Sequence, residues 1–64
     1  MRLIDFLGRC EKDTVVCVYW DEYDIIFDAK TCEEVWNKMD YNDLCNYRVY
    51  LFRVEDNVLF IEVC

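Results

Sequence analysis

Histidine and proline are absent from the 64 residues, and glycine occurs only once. Without histidine, the chain lacks the side chain that most often acts as a general base and as a metal ligand. Without a glycine-rich loop, it lacks the backbone cradle that holds phosphates in nucleotide-binding folds. These absences predict a protein that is not an enzyme, with no catalytic residue and no cofactor.

Basic residues are also scarce, since seven lysines and arginines stand against fourteen acidic residues, for a net charge of −7. A nucleic-acid-binding protein needs a basic footprint that displaces counterions from the phosphates. The charge therefore disfavours direct binding to nucleic acid.

The chain has no long hydrophobic run at its start, where Asp5 follows two apolar residues, so we expect neither a secretory signal nor a membrane span. The cysteines are odd in number and include no C-x-x-C pair. We therefore expect reduced, buried thiols in a cytoplasmic protein, and neither disulfides nor a metal site. The cysteines are Cys10, Cys17, Cys32, Cys45 and Cys64.

Apolar side chains are abundant, at 56% of the residues against the usual 45–50% or so. The length allows one domain over residues 1–64, whose small core is marginal on its own. Small domains gain the missing stability from disulfides, a metal or oligomerisation. Because the first two are disfavoured, we expect a homodimer or a higher homo-oligomer.

Two segments have the apolar spacing of short helices. The first begins at Leu3 and extends toward Cys10, and the second follows a capping box over residues 31–34, with Thr31 as N-cap. Residues 40–46 are expected to be a polar connection with no more than a half-turn. The second helix carries one apolar stripe, which is ordinarily a core face, made of Cys32, Val35, Trp36 and Met39.

Two hairpins are also predicted. The first pairs Thr14–Trp20 with Ile25–Asp28 across a turn at residues 21–24. The second spans Tyr47–Val63, with Asp56-Asn57 at its tip because both residues tolerate the positive φ of a two-residue turn. One face of this hairpin is assigned to the core, with the opposed pairs Tyr50 and Val63, Phe52 and Ile61, and Val54 and Leu59.

The order helix–strand–strand–helix–strand–strand predicts an α+β fold, with a four-stranded, mostly antiparallel sheet and two short helices on one face. The other face of the sheet is too apolar for an ordinary solvated surface. We expect that face, or an edge strand, to form a symmetric contact between copies of the chain. Its candidate residues are Val49, Leu51, Val58 and Phe60.

Acidic residues cluster around the first hairpin loop and at the start of the second helix. They either form a solvated rim that keeps an apolar protein soluble or a negative patch that docks on a basic protein. The candidate patch consists of Asp21, Glu22, Asp24, Asp28, Glu33 and Glu34.

The segments Met1–Leu7 and Tyr47–Val63 resemble a group of short, acidic, mostly uncharacterised proteins of phages and other mobile elements of gut Firmicutes. The likeness lies in general pattern and includes no catalytic signature. Small acidic proteins from that setting include anti-CRISPR proteins, which bind Cas nucleases or interfere with their DNA targets. The resemblance implies such a role and assigns a function to no single residue.

Three functions follow as hypotheses. The first is a non-catalytic interaction protein of a phage or mobile element that antagonises a nucleic-acid-handling enzyme, such as a Cas nuclease. The second is an oligomer that acts directly on DNA, with Arg48 and Arg53 as candidate contacts. The third is an accessory structural subunit.

Overall fold

A four-stranded sheet and three short helices make up the fold in the computed structural model, which describes residues 1–21 and 24–64. This architecture confirms the predicted α+β class. The elements are α1 Leu3–Leu7, β1 Val15–Asp21, β2 Asp24–Thr31, α2 Cys32–Lys38, α3 Tyr41–Asn46, β3 Val49–Glu55 and β4 Val58–Val63.

The strands lie in the order β2-β1-β4-β3. Both hairpins, β1 with β2 and β3 with β4, are antiparallel, whereas the central pair β1 and β4 is parallel. A parallel pair cannot be joined by a tight turn, and here β2, α2, α3 and β3 lie between its two strands in the chain. The two hairpins thus meet at the middle of the sheet, and β2 and β3 form its opposite edges.

The core lies between one face of the sheet and all three helices. Val16 and Val18 of β1 and Ile61 and Val63 of β4 are fully shielded from solvent. Leu59 of β4 belongs to the same buried cluster. The helices and their ends contribute its remaining apolar side chains, which are Leu3, Leu7, Cys32, Val35, Met39 and Leu44.

Helix α2 begins with the capping box that its sequence predicts. The Thr31 hydroxyl accepts a hydrogen bond from the Glu34 N–H, and the Glu34 side chain accepts one from the Thr31 N–H. The predicted apolar stripe is only partly buried, because Trp36 is 41% exposed. Trp36 therefore lies at the margin of the core.

Residues 40–46, predicted as a polar connection, contain the helix α3. Asp40 caps it by accepting a hydrogen bond from the Asn42 N–H at 2.8 Å, and Leu44 buries its side chain in the core. Aspartate is a favoured N-cap residue, so Asp40 was the signal that could have predicted this helix.

The second hairpin has the predicted turn, since Asp56 and Asn57 adopt φ values of 53° and 65°. Two of the predicted pairs are confirmed, Phe52 with Ile61 and Val54 with Leu59.

The third predicted pair is wrong. An irregularity between Val49 and Leu51 places Val49, and not Tyr50, opposite Val63. Val49 therefore packs against the core cluster and leaves the set of candidate contact residues on the opposite face.

The assignment of β3 to the core is also wrong. Tyr50, Phe52 and Val54 are 68%, 59% and 71% exposed, although Ile61 and Leu59, the partners of Phe52 and Val54 on β4, are buried. Strand β3 forms the edge of the sheet next to β4. On this side of the sheet, the helices cover the strands only as far as β4. Phe6 of α1 contacts Phe52 in this region, with ring centroids 5.1 Å apart.

The first hairpin is longer than predicted. Strand β2 continues to Thr31, and Asp21 and Asp24, predicted as turn residues, pair with each other at the ends of the strands. The other two predicted turn residues, Glu22 and Tyr23, lie outside the described residues. Within the described ranges, no helix has the length and apolar character needed to cross a membrane.

Candidate functional site

Carboxylates occur along β2 and in the first turn of α2, which follows β2 directly in the chain. Asp24, Asp28 and Glu33 are exposed, and Glu34 is half-buried. We call these four residues the acidic surface. Of the other two residues predicted for it, Asp21 pairs through its backbone with Asp24, and Glu22 lies outside the described residues. These four residues come from both acidic clusters of the sequence.

Glu34 has a structural role within this surface. Its Oε1 atom accepts hydrogen bonds from the Thr31 N–H and hydroxyl, both at 3.2 Å. These bonds stabilise the carboxylate and hold the pKa of Glu34 below its ordinary value. Its carboxylate is therefore engaged by the helix cap, and the residues offering exposed carboxylates are Asp24, Asp28 and Glu33.

Few of the acidic residues are neutralised by neighbours. In the described parts of the chain, the ion pairs join Arg2 to Asp5 at 3.3 Å and Arg53 to Glu55 at 3.4 Å. Neither pair includes a carboxylate of the acidic surface. Asp28 has a long contact of 4.0 Å with the Cys17 thiol, which is a weak donor.

The sheet face opposite the helices contains a shallow groove of about 460 Å³. Of the predicted contact residues, Leu51 and Phe60 line this groove together with Cys17 and Ile25. Val58 is half-buried at the start of β4, opposite Glu55. Two of the four predicted contact residues thus line a groove that also includes the charged residues Arg53 and Glu62.

The two candidate DNA contacts have different surroundings. Arg48 is exposed just before β3 and pairs through its backbone with Arg2 and Cys64. The Arg53 guanidinium lies over the Phe60 ring, 4.9 Å from its centroid, and pairs with Glu55. A guanidinium already bound to a carboxylate is less able to neutralise a phosphate, so this arrangement disfavours direct DNA binding by Arg53.

A second groove, of about 450 Å³, lies between α1 and α2 and was not anticipated from the sequence. Trp36, Gly8, Cys10 and Cys32 line it. The two thiols interact with each other, and burial raises both of their pKa values, that of Cys32 to about 11. Both thiols are therefore protonated and weakly nucleophilic at neutral pH.

Across the described residues, no three cysteine, aspartate or glutamate side chains are placed to hold one metal ion. Comparison with protein families, curated proteins and solved structures finds no match to this chain.

Proposed function

We propose that this chain is a non-catalytic interaction protein whose acidic surface binds a basic surface of a nucleic-acid-handling protein, in the manner of anti-CRISPR proteins. The observation that carries the proposal is the set of exposed carboxylates on Asp24, Asp28 and Glu33, which have no ion-pair partner among the described residues. Unpaired charges on one surface project a field that attracts an opposite charge.

The position of these carboxylates supports a protein partner. They lie at the β2 edge of the sheet and on the adjoining α2 turn, where the capping box fixes the position of Glu33. A basic groove that holds a nucleic-acid backbone presents lysine and arginine side chains at regular spacing. Carboxylates held on a strand and on a helix can pair with such side chains and so compete with the nucleic acid.

A plasmid-protection assay with a panel of Cas nucleases tests this function. We expect the wild type to protect the target plasmid. The variant Asp24→Asn/Asp28→Asn/Glu33→Gln should lose protection, because it removes the unpaired carboxylates with little change in side-chain volume.

A matched control separates the acidic surface from net charge. Asp5, Asp43 and Asp56 are exposed and lie on α1, on α3 and in the β3–β4 turn. The variant Asp5→Asn/Asp43→Asn/Asp56→Asn removes the same charge and should still protect. Equal loss in both variants would show that only net charge matters, and no protection by the wild type against any nuclease would refute the anti-CRISPR function.

A gel-shift measurement with plasmid DNA addresses the alternative of direct action on DNA. The proposal predicts no salt-sensitive shift by the chain alone. A shift that Arg48→Ala removes would favour the alternative.

A further inference from the structure

The two edges of the sheet differ in how open they are to pairing with another strand. Strand β2 pairs irregularly with β1, with three register shifts, and Ala29 has a φ of 52°. Bulges of this kind protect an edge strand from further pairing. Strand β3 pairs regularly with β4 from Leu51 to Glu55, so its outer side is an extended, unprotected edge.

The side chains of β3 add to this exposure. Tyr50, Phe52 and Val54 are more than half exposed, and Leu51 is 40% exposed. Exposed apolar edge strands of this kind favour strand addition by another chain.

The turn geometry shows which backbone groups are unpaired. In a hairpin with a two-residue turn, the residues that flank the turn form a hydrogen-bonded pair, and such pairs then alternate along the strands. Glu55 and Arg53 therefore bond to β4, whereas the N–H and C=O groups of Phe52 and Val54 point away from the sheet. The start of the edge is already covered, since the Val49 N–H donates to the Met1 carbonyl oxygen at 2.8 Å.

We infer that two copies of this chain associate through antiparallel pairing of their β3 edges, with the two-fold axis at Val54. This register sets Arg53 of each copy opposite Glu55 of the other. Opposite charges that face each other across strands stabilise pairing, whereas a two-fold axis at Arg53 would oppose two arginines. The charge pattern of β3 therefore fits a second copy of itself.

The same register fits the rest of the edge. The paired residues extend from Arg53 to Glu55 and stay clear of the segment at Val49 that Met1 covers. The Phe52 and Val54 side chains of both copies form one apolar row. The result is a continuous sheet made of two four-stranded sheets. Because few residues of each copy take part, the interface belongs to the small, weak class.

Sedimentation equilibrium from the low micromolar range to several hundred micromolar tests the inference. We expect the mass of the wild type to rise from 7.9 kDa toward twice that value. Val54→Pro should raise the dissociation constant about tenfold or more, because proline removes a backbone donor that β4 does not use. Leu51→Ser, which alters the groove on the open face, should leave the dimer intact.

Two charge variants give a second, independent test. Arg53→Glu and Glu55→Arg should each abolish self-association. In each variant, positions 53 and 55 carry the same charge, so like charges face each other in both opposed pairs of the interface. An equimolar mixture of the two should form a heterodimer, since every opposed pair then joins glutamate to arginine. Circular dichroism and thermal unfolding of each variant confirm that it is folded.

Three results would overturn the inference. They are a monomeric wild type at several hundred micromolar, a Val54→Pro variant that dimerises as the wild type does, and no heterodimer in the charge-variant mixture. Loss of the dimer in Leu51→Ser would instead assign the contact to the open face. None of these variants alters the acidic surface, so this test and that of the proposed function fail independently.

Discussion

Cys32 is a buried thiol that the fold keeps protonated. Its Sγ atom donates a hydrogen bond to the Leu7 carbonyl oxygen at 3.3 Å, and its side chain is 3% exposed. Removal from water disfavours the thiolate, and the adjacent Cys10 thiol adds to the effect, which raises the pKa of Cys32 to about 11.

This shift predicts how stability depends on pH. The ordinary pKa of the thiol is 9.0, so the unfolded chain loses the proton first as the pH rises. The contribution of Cys32 to stability is therefore complete below pH 9 and is lost as the pH rises toward 11. Urea unfolding across this range should show a smaller loss of stability in Cys32→Ser than in the wild type.

Cys64 gives the control, because its side chain is exposed. Cys64→Ser should keep the alkaline loss of stability seen in the wild type. An unchanged pH dependence in Cys32→Ser would show that the other buried thiols, and not Cys32, account for the loss.

Thr31 and Glu34 cap α2 through reciprocal hydrogen bonds. Thr31→Ala should lower the free energy of unfolding by about 1 kcal/mol, the usual cost of losing an N-cap side chain. Thr31→Ser keeps the hydroxyl and should recover most of that loss, as judged by the midpoint of urea unfolding. Equal stability of wild type and Thr31→Ala would contradict the cap's contribution.

The cap also has a pH dependence. Hydrogen bonds from Thr31 lower the pKa of Glu34. The contribution of the Glu34 carboxylate to stability is therefore present above its ordinary pKa of 4.5 and is lost as the pH falls through the lowered pKa. Thr31→Ala should therefore show less acid destabilisation than the wild type.

At the scale of elements, Ala29 is the most unusual residue of β2. Its φ of 52° lies in the left-handed region, where a Cβ atom is unfavourable. Together with Asp28 it lies opposite Cys17, so that two residues of β2 face one of β1. Such a bulge commonly has glycine at the left-handed position.

Ala29→Gly should therefore raise the free energy of unfolding by roughly 0.5–1 kcal/mol, the gain expected where glycine relieves a strained backbone. Ala29→Val is the matched test in the opposite direction, because a β-branched side chain is less tolerated at positive φ. A lower urea midpoint for Ala29→Gly would show that the backbone is unstrained at this position.

The sequence predicted those elements whose signals are local. The capping box at Thr31 and the turn at Asp56-Asn57 both depend on residues within four positions of each other, and the turn also set the register of Phe52 with Ile61. The bulge at Ala29 has no such signal, because alanine does not favour positive φ.

The exposure of β3 was missed for a different reason. Alternation along a strand shows which side chains share a face, but not whether another element covers that face. Phe52 and Ile61 do share a face, yet only Ile61 is buried. Of the candidate site, the acidic character of Asp24, Asp28 and Glu33 follows from the sequence alone, whereas the location of the open edge could not be predicted.

At the scale of the whole molecule, the acidic surface and the apolar edge are separated. Strand β2 forms one edge of the sheet and β3 the other. Pairing of two β3 edges would leave both β2 edges at the outer ends of a sheet, about 34 Å apart at roughly 4.8 Å per strand spacing. A dimer would then present two acidic surfaces, and binding through both would increase the avidity for a partner with two basic sites.

The excess of negative charge also predicts a response to salt. With a net charge of −7, and with no ion-pair partner in the described parts of the chain for the exposed carboxylates of the acidic surface, the folded chain repels itself. Salt screens that repulsion, since the Debye length falls from about 30 Å at 0.01 M to about 8 Å at 0.15 M ionic strength. Raising the salt over this range should increase the free energy of unfolding, measured with urea at low micromolar protein, where the inferred weak dimer would be dissociated.

The triple variant Asp24→Asn/Asp28→Asn/Glu33→Gln should show a smaller increase than Asp5→Asn/Asp43→Asn/Asp56→Asn, although both carry the same net charge. Like charges confined to one edge and the adjoining helix turn repel one another more strongly than charges spread over the surface, because the interaction falls off with distance. Equal salt responses in the two variants would indicate that net charge alone matters. A wild type that salt destabilises would show that attractive pairs, and not the unpaired carboxylates, dominate the electrostatics of the fold.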